Sequence, residues 1–233
     1  MMRGALFALL ISTLLGCTCS ASAAEPVKHI GIYVLPYYQS ADDPQGHPRV
    51  AVYKRIDGLL ASNSREDIVA ARDAVAANPK FISPITMMVL AIRLYDVGLR
   101  DDSVFWFYVA KDRYSEVLEV IDVEAAGLSP GDAVKSFAIL AGPFINGYAF
   151  CDLANQQKLR QQALAWVENN PYETIFTGEL PARPGDRHEN QRRAIEKAKS
   201  GTEKERAQFD DPKYVEAYYA TRKKNEMDAK FCW

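Results

Sequence analysis

Histidine, cysteine and paired carboxylates are the residue types that most often carry chemistry, and this 233-residue chain offers little of it from them. The three histidines, His29, His47 and His188, form no His-x-x-x-His or His-Glu-x-x-His arrangement, so no pair shares a helical face as a zinc site requires. Asp42, Asp43 and His47 share one loop, yet the regular acid spacing of a calcium loop is missing, and a solvated loop is expected there. No Gly-x-Ser-x-Gly elbow is present. The acid pairs Asp42-Asp43, Asp101-Asp102 and Asp210-Asp211 each precede a helix or loop, where capping explains them, and nothing singles one out as a hydrolytic dyad. No catalytic residue, metal or cofactor is expected.

The cysteines point to covalent structure instead. Met1-Met2-Arg3, an apolar run from Ala5 to Leu15 and Ala21-Ser22-Ala23 follow the pattern of a cleaved secretory leader, residues 1–23. The run is about eleven residues, too short to span a ~30 Å hydrocarbon core. Leu14-Leu15-Gly16-Cys17 is a competing lipobox-like pattern in which Cys17 would be acylated, anchoring the protein in the outer membrane. Cleavage near Ala23 removes Cys17 and Cys19 and leaves Cys151 and Cys232, an even pair in an exported chain, which favours a disulfide over two buried thiols. The chain-entropy model gives roughly 4.5 kcal/mol for closing a loop of about 81 residues.

The remaining candidates are binding residues. Arg93 and Asp96 lie three apart on an otherwise apolar helix, where an unpaired charge is costly. They are expected to pair with each other, to pair with Arg113 or Asp112, or to act as a polar anchor in a groove. The segment from Arg187 to Arg206 interleaves bases with glutamates, as a solvated helical face does. Tyr is abundant at 12 residues, and its large area with a polar tip suits recognition surfaces as well as cores. Tyr33, Tyr37, Tyr38, Arg93, Tyr95, Trp106 and Tyr108 are the candidate partner-binding residues.

Elements must position these groups. The chain is 48% apolar and 25% charged, a globular balance, and its net charge of −2 leaves no basic footprint for nucleic acid. Ile30, Ile32 and Val34 alternate with His29, Gly31 and Tyr33 in a strand-like period, which Pro36 ends; no second strand is evident, so an extended arm on helices is expected. From Val50 the period turns helical through Val52, Ile56, Leu59 and Leu60. Ser64 caps a second helix that stops at Asn78-Pro79, and Ser83-Pro84 opens a third that is apolar on two faces and hence central. Val104 to Ile121 is too long for a strand and is predicted helical. Gly142-Pro143 marks a helix start, Asn146-Gly147 a weak point before Asn169, and helices are predicted over Arg187 to Lys199 and from Asp211-Pro212 to Lys224. The expectation is a single, mainly α domain over 24–233, built of packed antiparallel helix hairpins with a short N-terminal extended or β segment.

Residues Leu90 to Arg113, LAIRLYDVGLRDDSVFWFYVAKDR, place Leu, Ala and Tyr on one helix, Gly at a turn, then acids and aromatics on the next. This resembles the helix–turn–helix of tetratricopeptide and Sel1-like repeats, and the closures at Asn78-Pro79 and Asn170-Pro171 are similar to theirs. No second copy is visible, so the resemblance covers this hairpin alone. It implies a protein partner, since those families mostly bind other proteins. The function expected is therefore an exported, periplasmic or secreted protein-binding module without catalysis. Its alternatives are an immunity protein neutralising an exported toxin and a cell-envelope hydrolase.

Overall fold

Helix starts follow the local chemistry closely. In the computed structural model, which describes residues 28–34, 49, 50, 52–126 and 130–233, the Ser64 hydroxyl accepts from the Asp67 N–H and opens α2, Arg65–Ala77. Ser83 does the same for Thr86 at the start of α3, Pro84–Asp96, with Pro84 at the first helical position. Asp152, Asp186 and Asp211 cap α6 (Leu153–Asn169), α7 (Arg187–Phe209) and α8 (Pro212–Lys224) in turn. Gly98, at φ 80°, makes the tight turn from α3 into α4, Arg100–Val120. Before them comes the short α1, Asp57–Ala61; between α4 and α6 lies α5, Pro130–Ala149; and α9, Met227–Phe231, closes the order. The chain is mainly helical.

The core follows from the hydrophobic pattern. From Thr86 to Tyr95 every residue of α3 is buried, as its two apolar faces require. The hub is α4, which touches α3, α5, α6 and α7. Its polar residues are therefore drawn inward, Arg113 most of all. That guanidinium is fully buried and donates to the carbonyls of Pro79 (2.8 Å), Ile82 (3.2 Å) and Asn170 (2.6 Å). Both Asn-Pro helix closures thus end on one side chain.

Four expectations are corrected. Val50 and residues 52–56 are not helical: Tyr33–Val34 (β1) pairs in parallel with Arg49–Val50 (β2), and the Tyr53 N–H is committed to the Thr86 hydroxyl, so the helix waits until Asp57. Gly142-Pro143 does not start a helix but lies inside α5. Pro143 removes the N–H that would bond the Ile139 carbonyl, and this is tolerated because both residues sit on the exposed face, where water substitutes. Asn146-Gly147 is no break either. Gly147 is buried, and a Cβ there would meet the Phe231 ring at 2.7 Å, so α9 rests on bare α5 backbone. The helix α7 also runs past Lys199 to Phe209, with Gly201 on its exposed side.

The disulfide is present between Cys151 and Cys232, with their Cα atoms 5.6 Å apart. Beside it Arg222, itself buried, donates Nε to Asp228 (2.9 Å) and Nη2 to the Gly147 carbonyl (3.1 Å). No helix among the described residues is long and apolar enough to cross a membrane.

Candidate functional site

The residues nominated from sequence do not assemble into one surface. Tyr37, Tyr38 and Cys17 lie outside the described residues, and Tyr33 contributes its backbone to β1. Arg93, Tyr95, Trp106 and Tyr108 are all buried. Arg93 donates to the Leu60 and Ser62 carbonyls (3.0 and 2.7 Å), to the Asn63 side chain (2.9 Å) and to Asp96 (3.2 Å). It therefore closes the C-terminus of α1 and reaches its sequence-expected partner Asp96. Burial pushes the Asp96 carboxyl up in pKa, opposed by the Ile30 N–H, which donates to it at 2.6 Å. Tyr95 lies under the Arg100 guanidinium, 5.0 Å away, and Trp106 meets Trp166 edge to face at 5.1 Å. Of the four, Tyr108 alone lines a cleft open to solvent.

Polar groups from several elements converge on that cleft. About 330 Å³ in volume, it is walled by four helices. The hub helix supplies Tyr108, Lys111 and Asp112, which a 3.6-residue period places on one face. Asn146 comes from α5, Arg160 from α6, and Thr202 and Glu205 from α7. Asp112 and Arg160 form a two-pronged ion pair, one prong 2.9 Å long, and so neutralise each other. Gln156, 1% exposed, donates to both the Tyr108 hydroxyl and Glu205 at 3.1 Å. The Tyr108 oxygen thereby accepts, which leaves its own proton available. Burial first, and Glu205 nearby, push that phenol up to about 12, so it stays protonated at neutral pH.

Lys111 stands apart from this network. Its ammonium makes no ion pair or hydrogen bond among the described residues and stands 5.5 Å from the centre of the Phe107 ring. Burial and the adjacent Arg160 pull its pKa down, while Asp112 and Glu205 pull it back up. The cleft thus presents an open ammonium on α4 and, on α7, a carboxylate held by a single donor. No imidazole or thiol lines it. Among the described residues no group of three His, Cys, Asp or Glu is arranged to hold a metal. His29 and His188 are exposed and far apart in sequence, the latter stacked on Phe176 at 4.1 Å.

A second feature lies on the outer face of α5. From Ser136 to Ala149 the helix carries no charged side chain. Val134, Ala141 and Ile145 point into the core, while Ile139, Leu140 and Pro143 are exposed, Ile139 at 66%. Phe137 and Phe144 flank them half-buried. The exposed positions recur at i, i+1 and i+4, a single apolar stripe along the helix. Sequence reasoning treated this stretch only as helix punctuation around Gly142-Pro143. The signal that marks it is the absence of charge across two apolar faces, where one face suffices for packing.

No protein-family model matches the chain. No solved structure matches it. An uncharacterized protein of Haemophilus influenzae is 36% identical over 223 residues, covering 96% of this chain and 86% of that protein.

Proposed function

We propose, for a chain that belongs to the same family as that Haemophilus influenzae protein, an exported helical module that binds another protein through α5 and performs no chemistry itself. The observation that carries this reading is the uncharged stripe of Ile139, Leu140 and Pro143 on a helix whose inner face already meets the core. An exposed apolar stripe selects an apolar surface, and one a single helix wide suits the apolar face of a partner helix. The α3–α4 hairpin turning at Gly98 supports a tetratricopeptide-like reading of that part. Export, to the periplasm or beyond or to the outer membrane if Cys17 is acylated, is supported by the leader pattern and by the Cys151–Cys232 disulfide.

Neutralising an exported toxin is a narrower form of the same reading. A cell-envelope hydrolase is the second reading, favoured by the titratable groups of the α4 cleft. The Asp112–Arg160 pair counts against it, since it consumes one of the two carboxylates.

A photo-crosslinking residue at Leu140, with Lys204 as the control position, tests the proposal in cells. The expected adduct forms from position 140 only and maps to an amphipathic helix of a different protein. The purified partner then binds at least 10-fold more weakly to Ile139→Asp, whose melting temperature stays near wild type because the site is exposed. A homodimer, equal labelling from both positions, or Ile139-dependent binding to phospholipid vesicles would overturn it.

A further inference from the structure

The α4 cleft is not needed for that docking face, and its chemistry selects a different kind of ligand. Its four ionisable walls divide into one closed pair and two open groups. Asp112 and Arg160 satisfy each other, whereas Lys111 on α4 and Glu205 on α7 line the cleft with hydrogen-bonding capacity left over. The two are near enough for the Glu205 charge to act on Lys111, yet no ion pair joins them. In the same cleft the Tyr108 hydroxyl has a proton to donate, because its oxygen already accepts from Gln156. Gln156 holds that arrangement from beneath, with its Oε1 buried and without a partner.

We propose that this cleft binds a small zwitterion of amino-acid or dipeptide size. Its carboxylate would sit between the Lys111 ammonium and the Tyr108 hydroxyl, and its ammonium would sit on Glu205. The volume, about 330 Å³, is at the lower end of small-molecule sites and matches that size. The half-buried Phe150 ring on the α5 side offers an apolar seat for a ligand side chain. A simple anion would leave Glu205 opposing it, and a simple cation would face Lys111 and Arg160. A ligand carrying both charges satisfies both walls, and neither wall need lose its existing partners.

Calorimetric titration of the full exported chain with L-alanyl-L-phenylalanine, its N-acetyl form and its C-terminal amide separates these cases. The free dipeptide is expected to bind, and each singly charged analogue to bind about 10- to 100-fold more weakly, the cost of one charge-assisted hydrogen bond. Lys111→Met should erase the preference for the acid over the amide, and Glu205→Gln the preference for the free amine over the acetylated form. Both side chains are solvent-reachable, so unchanged circular dichroism and melting temperature are expected and confirm that the fold is intact. No binding of the dipeptide at millimolar concentration, equal binding of all three probes, or unaltered preferences in both folded variants overturns the assignment. Any of these leaves the α5 crosslinking result untouched, since no residue is shared between the two tests.

Discussion

Helices α5 and α7 lie against the same hub helix and are of similar length, 20 and 23 residues, yet they are attached by opposite means. α5 has no charge over its last fourteen residues, 136–149, and is held by side-chain burial: Val134, Ala141, Ile145 and Ala149 face the core. α7 is charged along most of its length, and few of its apolar residues, chiefly Ala194 and Ile195, are buried. Ion pairs hold its rim, Lys197 to Glu119 at 2.7 Å and Lys199 to Glu168 at 2.9 Å, and Gln191 reaches the buried Glu116 at 2.9 Å. The difference teaches where function is to be sought. Charges on α7 outside the α4 cleft are satisfied by neighbours and water, so that part of its surface needs no further partner. Apolar side chains on the outer face of α5 satisfy nothing within the molecule.

The sharpest way to break this contrast is to empty the inner face of α5. Ile145→Ala removes a fully buried side chain and should cost about 2–4 kcal/mol in denaturant unfolding; a loss below about 1 kcal/mol would mean that α5 is not anchored by burial. The next effect concerns the buried polar link from α4 to α7, Glu116 to Gln191. Burial pushes the Glu116 carboxyl up to about 7; the Gln191 hydrogen bond and Arg113 oppose this and Asp112 reinforces it. Its folded pKa lies above its unfolded value, so the folded state holds the extra proton. The stability this contributes is full below about pH 4.5 and is lost as the pH rises through about 7, on the order of 2–3 kcal/mol. Melting temperature is thus expected to fall between pH 5 and 7.5, and Glu116→Gln to flatten that slope; an equal slope in the variant would refute the assignment. The smallest effect is at the rim. Lys197→Ala breaks an exposed pair and should cost about 1 kcal/mol or less, vanishing in high salt.

Helix starts were legible because capping is local: Ser64, Ser83 and Asp211 announce them within four residues. The Cys151–Cys232 link was legible from parity once the expected leader, with Cys17 and Cys19, was set aside. Pro143 misled because a proline's cost depends on whether the orphaned carbonyl meets water, and that is a property of the face it lies on. The extension of α7 to Phe209 was hidden by Gly201, whose helix penalty is modest on an exposed side. The cleft could not be read at all beyond Tyr108. Its walls come from Lys111, Asn146, Arg160 and Glu205, spread over nearly a hundred residues, and no local spacing relates them. Nor does composition separate a buried aromatic from an exposed one: Tyr95 and Trp106 looked like recognition residues and are core.

One consequence of the buried Arg113 reaches beyond packing. Pro79, just past the end of α2, and Asn170, which caps the end of α6, lie nearly a hundred residues apart in the chain and hand their carbonyls to the same guanidinium. Helix ends ordinarily fray independently and at little cost. Here, loosening either end strips a charged donor of part of its hydrogen bonding, so the opening of one corner weakens the other. The two Asn-Pro corners therefore behave as a single cooperative unit in the opening dynamics of the protein, although sequence keeps them far apart.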